Sequence, residues 1–171
     1  MKRPEYIEAP GEFTSDGPSV FLAGGISDCE DWQRRAAEEL CAAGINVLNP
    51  RRKAFPMGDP SAAAAQIGWE FRHLRKATAR LFWFPPQTLC PIALYELGAW
   101  ASREGPLFVG TDPRYARRAD VEIQLRLARP DVTVVMSLEA LIEQVKQWAP
   151  SIACGAGNGA KEMQRCVPSS S

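Results

Sequence analysis

Glu96 is the only charged residue between Leu81 and Ser102, in the run LFWFPPQTLCPIALYELGAWAS. The flanking residues read as a core strand, a tight turn and a buried helix. An ionised carboxylate in such surroundings costs several kcal/mol, of order 2–7 for a polar group alone, unless something compensates. Two uses would account for it. Glu96 takes part in chemistry, or it pairs with an arginine from elsewhere in the fold. Glu70 is the second carboxylate of interest, sharing a helical face with Gln66 and His73. On its own it could equally be a surface residue amid Arg72, Arg75 and Lys76. Two carboxylates flanking a glycosidic bond have a clear mechanical use. One attacks or stabilises the anomeric carbon, and the other, with a raised pKa, protonates the leaving group.

Other residues could bind rather than react. Gly24, Gly25 and Ser27 in AGGIS join an apolar strand to a helix. Glycines there admit a ligand to the backbone, and the free amides of a helix start suit an anion. Asp28, Glu30 and Asp31 oppose a phosphate in that turn, and a capped helix start without a ligand explains the motif as well. Arg51, Arg52 and Lys53 could clamp a phosphate or carboxylate, or form a solvated basic loop. Arg114, Arg117 and Arg118 pose the same choice. Trp69, Trp83, Trp100 and Phe84 could stack on a base or fill the core. Cys90 precedes Pro91 at a helix start, where a thiol either has a lowered pKa or packs as a cap. His73 is the sole histidine, and no nucleophile on a sharp turn lies near it.

These residues sit in an alternating chain. Short apolar runs at SVFLAGG (19–25), INVLNP (45–50), ARLFWF (79–84), PLFVG (106–110) and DVTVVM (131–136) read as buried strands. Between them lie helical patterns. The first follows a Ser27-x-x-Glu30 capping box, with Trp32, Ala36, Leu40 and Ala43 inward and Gly44 as its stop. The second spans about 61–77, with a core stripe of Ile67, Phe71, Leu74 and Thr78. The third runs from Pro91 to about Arg103, the fourth over 119–128, and the last over 138–148. Five alternations imply a single doubly wound, five-stranded parallel sheet in a flavodoxin-like or Rossmann-like three-layer α/β sandwich. We expect a loose arm over 1–18, the domain over 19–150, and a flexible Gly- and Ser-rich tail over 151–171. Ligands of such sheets bind beyond the carboxyl ends of the strands, which is where the glycines and Arg51–Lys53 fall.

Composition limits the rest. Lys+Arg and Asp+Glu are both 20, so no broad basic field exists for a nucleic-acid polymer. No apolar run predicts a membrane span, and the N-terminus lacks the apolar centre of a secretory signal. The five cysteines form neither a CxxC pair nor a Cys/His set, so neither zinc nor a disulfide framework is expected, and the setting reads as cytoplasmic.

FLAGGI (21–26), NPRR (49–52), QIGWE (66–70) and ALYELGAW (93–100), in that order, resemble the nucleoside 2-deoxyribosyltransferase-like proteins, whose superfamily includes nucleotide N-hydrolases. The resemblance spans about residues 19 to 145. It implies that Glu96, in the YELG-type motif, is a nucleophile that holds the sugar as a glycosyl ester. It implies an acid or base role for Glu70 and sugar contacts for Gly24, Gly25 and Ser27. No metal or redox cofactor, a small nucleoside or nucleotide substrate, and a homodimer or larger homo-oligomer are implied as well. The chain departs from the transferases in having Cys90 six residues before the nucleophile, where they carry aspartate. It also lacks acidic residues in FWFPP at the end of the third strand. A hydrolase, or a transferase with different base contacts, fits these departures better.

Overall fold

A computed structural model describes residues 3–56 and 58–155 of the chain. Six strands form one all-parallel sheet: β1 (Tyr6–Glu8), β2 (Ser19–Gly24), β3 (Asn46–Asn49), β4 (Ala79–Phe84), β5 (Leu107–Thr111) and β6 (Val134–Val135). Their order is β1-β3-β2-β4-β5-β6. The five strands read from the sequence are all present, and beyond β1 their order is that of a flavodoxin-like sheet. The sixth strand corrects the expectation of a loose arm. Tyr6, Ile7 and Glu8 pair with Val47, Leu48 and Asn49, and Phe13 is buried. Three residues are too few to show a period in sequence. Their pairing is held by the free edge of β3 and by the Asn46 side chain, which accepts from the Glu5 amide at 2.8 Å.

Strand alternation splits the core into two layers. Val20, Leu22, Leu81 and Trp83 face α1 (Trp32–Ala42) and α5 (Leu138–Gly155). Phe21, Ala23, Phe82 and Phe84 face α2 (Pro60–Lys76), α3 (Pro91–Ala101) and α4 (Arg118–Ala128). Helix α5 runs seven residues past the expected end, to Gly155, and takes in the start of the expected tail. The rest of that tail, 156–171, lies outside the described residues. Among the described residues, no helix is long and apolar enough to cross a membrane.

Two local expectations change. Helix α1 starts at Trp32 with Asp31 as its N-cap, accepting from the Arg34 amide at 3.1 Å; Ser27 and Glu30 form no capping box. The cause is a competing set of bonds. Trp32 Nε1 and Gln33 Nε2 both donate to the Gly25 carbonyl, at 2.9 and 2.8 Å, and draw residues 26–30 into a turn. Helix α2 keeps Leu74 of the expected stripe inward and replaces the rest. Ala62, Trp69, His73, Leu74 and Ala77 are buried, whereas Ile67 and Phe71 are exposed. The helix carries apolar residues on two neighbouring faces, and periodicity cannot choose between them.

Candidate active site

A cavity of about 590 Å³ opens at the carboxyl ends of β2, β3 and β4, where the strand order reverses. Glu70 from α2 and Glu96 from α3 line it together. Pro91 at the first turn of α3 sets the helix start, which places Glu96 between one and two turns into the helix. Among the described residues Glu96 makes no hydrogen bond and no ion pair, which removes the internal arginine pair as its explanation. Burial, and then the charge of Glu70, push the Glu96 carboxyl up to about 7. Burial also raises Glu70, opposed by a hydrogen bond from Gln66 Nε2 at 2.8 Å. Both carboxyls are thus held above the ordinary carboxylate value, Glu96 partly by the charge of Glu70.

Gln66 is the positioning residue that sequence reasoning left without a role. Its Nε2 also donates to the Pro50 carbonyl at 2.8 Å, and with two acceptors there the amide can face only one way. Its Oε1 is buried and unpartnered among the described residues. The available signal was its i, i+4 spacing to Glu70. Phe55, Pro50, Thr88 and Ile92 also line the cavity and carried no distinguishing sequence signal.

Gly24, Gly25, Ser27, Arg52 and Cys90 join the two carboxylates around this cavity. Gly24 has φ +149°, and a Cβ there would lie 2.1 Å from the Trp83 carbonyl oxygen. A Cβ on Gly25 would come within 3.0 Å of Pro85, Thr88 and Cys29. These close approaches bring the loop after β2 against the loop after β4 and leave bare backbone at the cavity wall. Cys90, in left-handed conformation, caps α3 without a side-chain bond to it, and its Sγ donates to the Thr88 carbonyl at 3.5 Å. Burial pushes this thiol up to about 12, so it is neutral and not an activated nucleophile.

Four expected ligand contacts are found elsewhere. The Arg51 guanidinium braces the loop before α1, donating to the Cys29 and Glu30 carbonyls and to Gln33 Oε1 at 2.9–3.2 Å. Trp69 is buried on the inward face of α2, donating to the Gly11 carbonyl at 2.6 Å and stacking on His73. Trp83 points to the opposite side of the sheet because odd-numbered β4 residues face α1 and α5. Phe84 faces the cavity side but is buried between Phe82 and Tyr115. His73 is structural, with Nδ1 bonded to the Trp69 carbonyl and Nε2 accepting from the Phe13 amide. Arg114, Arg117 and Arg118 pair with Asp112, Asp120 and Glu122.

The fold and pocket define a doubly wound α/β protein with paired carboxylates at the strand-order switch. Residues 17–115, more than half of the 171-residue chain, match the family model described as nucleoside 2-deoxyribosyltransferase like. The chain belongs to this family. Comparison with curated proteins found no match.

Proposed function

We propose that this protein cleaves or exchanges the N-glycosidic bond of a nucleoside or nucleoside 5′-monophosphate. The observation that carries the reading is the pair Glu96 and Glu70 in one cavity with a bare glycine wall. The ionised Glu96 carboxylate attacks the anomeric carbon, and the C–N bonding electrons leave with the base. Glu70, whose carboxyl pKa is raised by burial, delivers its proton to the leaving nitrogen. Water, giving a proton to Glu70, then attacks the anomeric carbon of the glycosyl ester and frees Glu96. A second base in place of water gives exchange. Gln66 orients Glu70, and Arg52, at the cavity rim, is the residue suited to a 5′-phosphate.

Neutral Cys90 stands where an additional carboxylate would sit in a transferase, and Glu70 and Glu96 are the only carboxylates lining the cavity among the described residues. This supports hydrolysis over base exchange. A homo-oligomer is part of this reading, supported by the large apolar side chains exposed on α2 (Ile67, Phe71) and α3 (Ile92, Tyr95), of which Ile92 lines the cavity.

The test is a panel of ribo- and deoxyribonucleosides and their 5′-monophosphates, each incubated with wild type and with Glu96→Ala, with and without a second base. Free base from the wild type alone is expected. Ligand retained intact by the wild type, with no base released from any compound, would overturn catalysis in favour of a binding module.

A further inference from the structure

A second cavity of about 610 Å³ opens between the edge strand β1 and α1. It exists because β1 extends the sheet past β3, so that Tyr6 and Glu8 form its outer wall and Arg34, Ala37, Glu38 and Cys41 of α1 its inner one. The loop after β3 supplies the remainder, and Arg52 lines both this cavity and the one holding the carboxylates.

The lining holds four cations, Arg34, Arg51, Arg52 and Lys53, against three carboxylates, Glu8, Asp31 and Glu38, a balance of one positive charge. Three carboxylates line the cavity, and each is engaged. Glu8 accepts from the Lys53 amide at 2.9 Å and from the Tyr6 hydroxyl at 3.3 Å. Asp31 accepts from the Arg34 amide and lies 3.8 Å from Arg51 Nε. Glu38 pairs with Arg34 at 3.2 Å. Arg34 and Arg51 are thereby matched. Arg52 and Lys53 form no ion pair among the described residues, and the Arg52 guanidinium is met only by the Phe55 ring, 5.4 Å away. Two adjacent cations outside any ion pair thus border this cavity, with the Glu8 carboxylate beside Lys53, and Arg52 also borders the similarly sized cavity that holds Glu70 and Glu96. Either cavity alone is large enough for a small ligand.

We propose that the substrate carries a diphosphate and spans both cavities. Its glycosidic bond lies at Glu96 and Glu70, its phosphate chain crosses Arg52 to Lys53, and whatever the distal phosphate bears enters the space beside Tyr6. This rests on the glycosidic reading of the first cavity and extends it from nucleosides and monophosphates to nucleoside diphosphates and dinucleotide pyrophosphates. A planar guanidinium held against an aromatic ring is a bidentate donor for such a chain.

Two measurements on the full chain separate this proposal from the reading beneath it. The first is calorimetric binding of inorganic pyrophosphate to wild type and Lys53→Ala. The second is kcat/KM for base release from one nucleoside, its monophosphate, its diphosphate and a dinucleotide pyrophosphate. We expect pyrophosphate to bind wild type and to bind Lys53→Ala about tenfold more weakly. We also expect the preference for diphosphate over nucleoside to fall about tenfold in Lys53→Ala, mainly through KM. Base release that is as fast from the nucleoside as from the diphosphate, with no pyrophosphate binding, overturns the two-cavity substrate and leaves the glycosidic reading intact. Pyrophosphate binding that weakens in Lys53→Ala, with no base released from any compound, supports the anion site and overturns the glycosidic reading instead.

Discussion

At the residue scale, the site is governed by two carboxyl groups that cannot both be ionised cheaply. Glu96 holds its proton up to about pH 7, whereas the unfolded chain gives up the same proton near the ordinary carboxyl value of 4.5. Between these values the folded state binds more protons than the unfolded one, so stability falls as pH rises through the window. Above pH 7 the full penalty applies, about 1–3 kcal/mol. Glu96→Gln is therefore expected to raise Tm at pH 8 and to change it little at pH 5, while abolishing turnover. Differential scanning fluorimetry at the two pH values checks this, and an equal effect at both would refute the charge as the cause. Glu70→Gln removes the second cause of the raised Glu96 pKa. We expect the carboxyl resonance of Glu96, followed by carbon NMR, to titrate at lower pH in that variant. An unmoved titration would mean that burial alone sets it.

At the scale of elements, the cavity depends on how closely the loops after β2 and β4 can approach. Gly24 pairs with Trp83 across these strands, and its positive φ and missing Cβ allow the contact. Gly24→Ala is expected to destabilise the fold by about 2–4 kcal/mol, because the obstructing atom is a backbone oxygen that cannot rotate away. Urea denaturation measures this, and a loss well under 1 kcal/mol would show that the strands separate without difficulty. The AGGIS motif was legible in sequence as a strand–helix junction, but the start of α1 was not. Ser27-x-x-Glu30 has a capping pattern, yet bonds to the Gly25 carbonyl and from Arg51 prevail over it. Those partners lie 7 and 8 residues away in one case and 21 or 22 in the other, beyond the reach of a local pattern.

At the scale of the whole molecule, α2 and α3 leave large apolar side chains exposed. Ile67 and Phe71 on α2 are 66% and 56% exposed, and Ile92 and Tyr95 on α3 are 65% and 77% exposed. Ile92 also lines the cavity, so a second copy seated over these side chains would reach its edge. Phe71→Asp is expected to convert an oligomeric wild type to monomers in sedimentation velocity and to reduce turnover. A wild type that sediments as a monomer would remove this face as a self-association surface.

The sequence by itself determined the alternation of strands and helices, the doubly wound three-layer arrangement this implies, and the candidacy of Glu96. These follow from short-range periodicity and from one charge set in an apolar run. Family membership was legible as well, through four short motifs in a fixed order. Only the tertiary structure decided that Glu70 and Glu96 line one cavity, that Gln66 bonds Glu70, and that Arg51 braces a loop while Arg52 lines the cavity. It alone turned Trp69 and Trp83 into core residues and made the arm before β2 an edge strand with a cavity behind it. Each of these depends on which face of an element is covered. That is settled by packing and hydrogen bonding between segments tens of residues apart, and such contacts leave no local period to read.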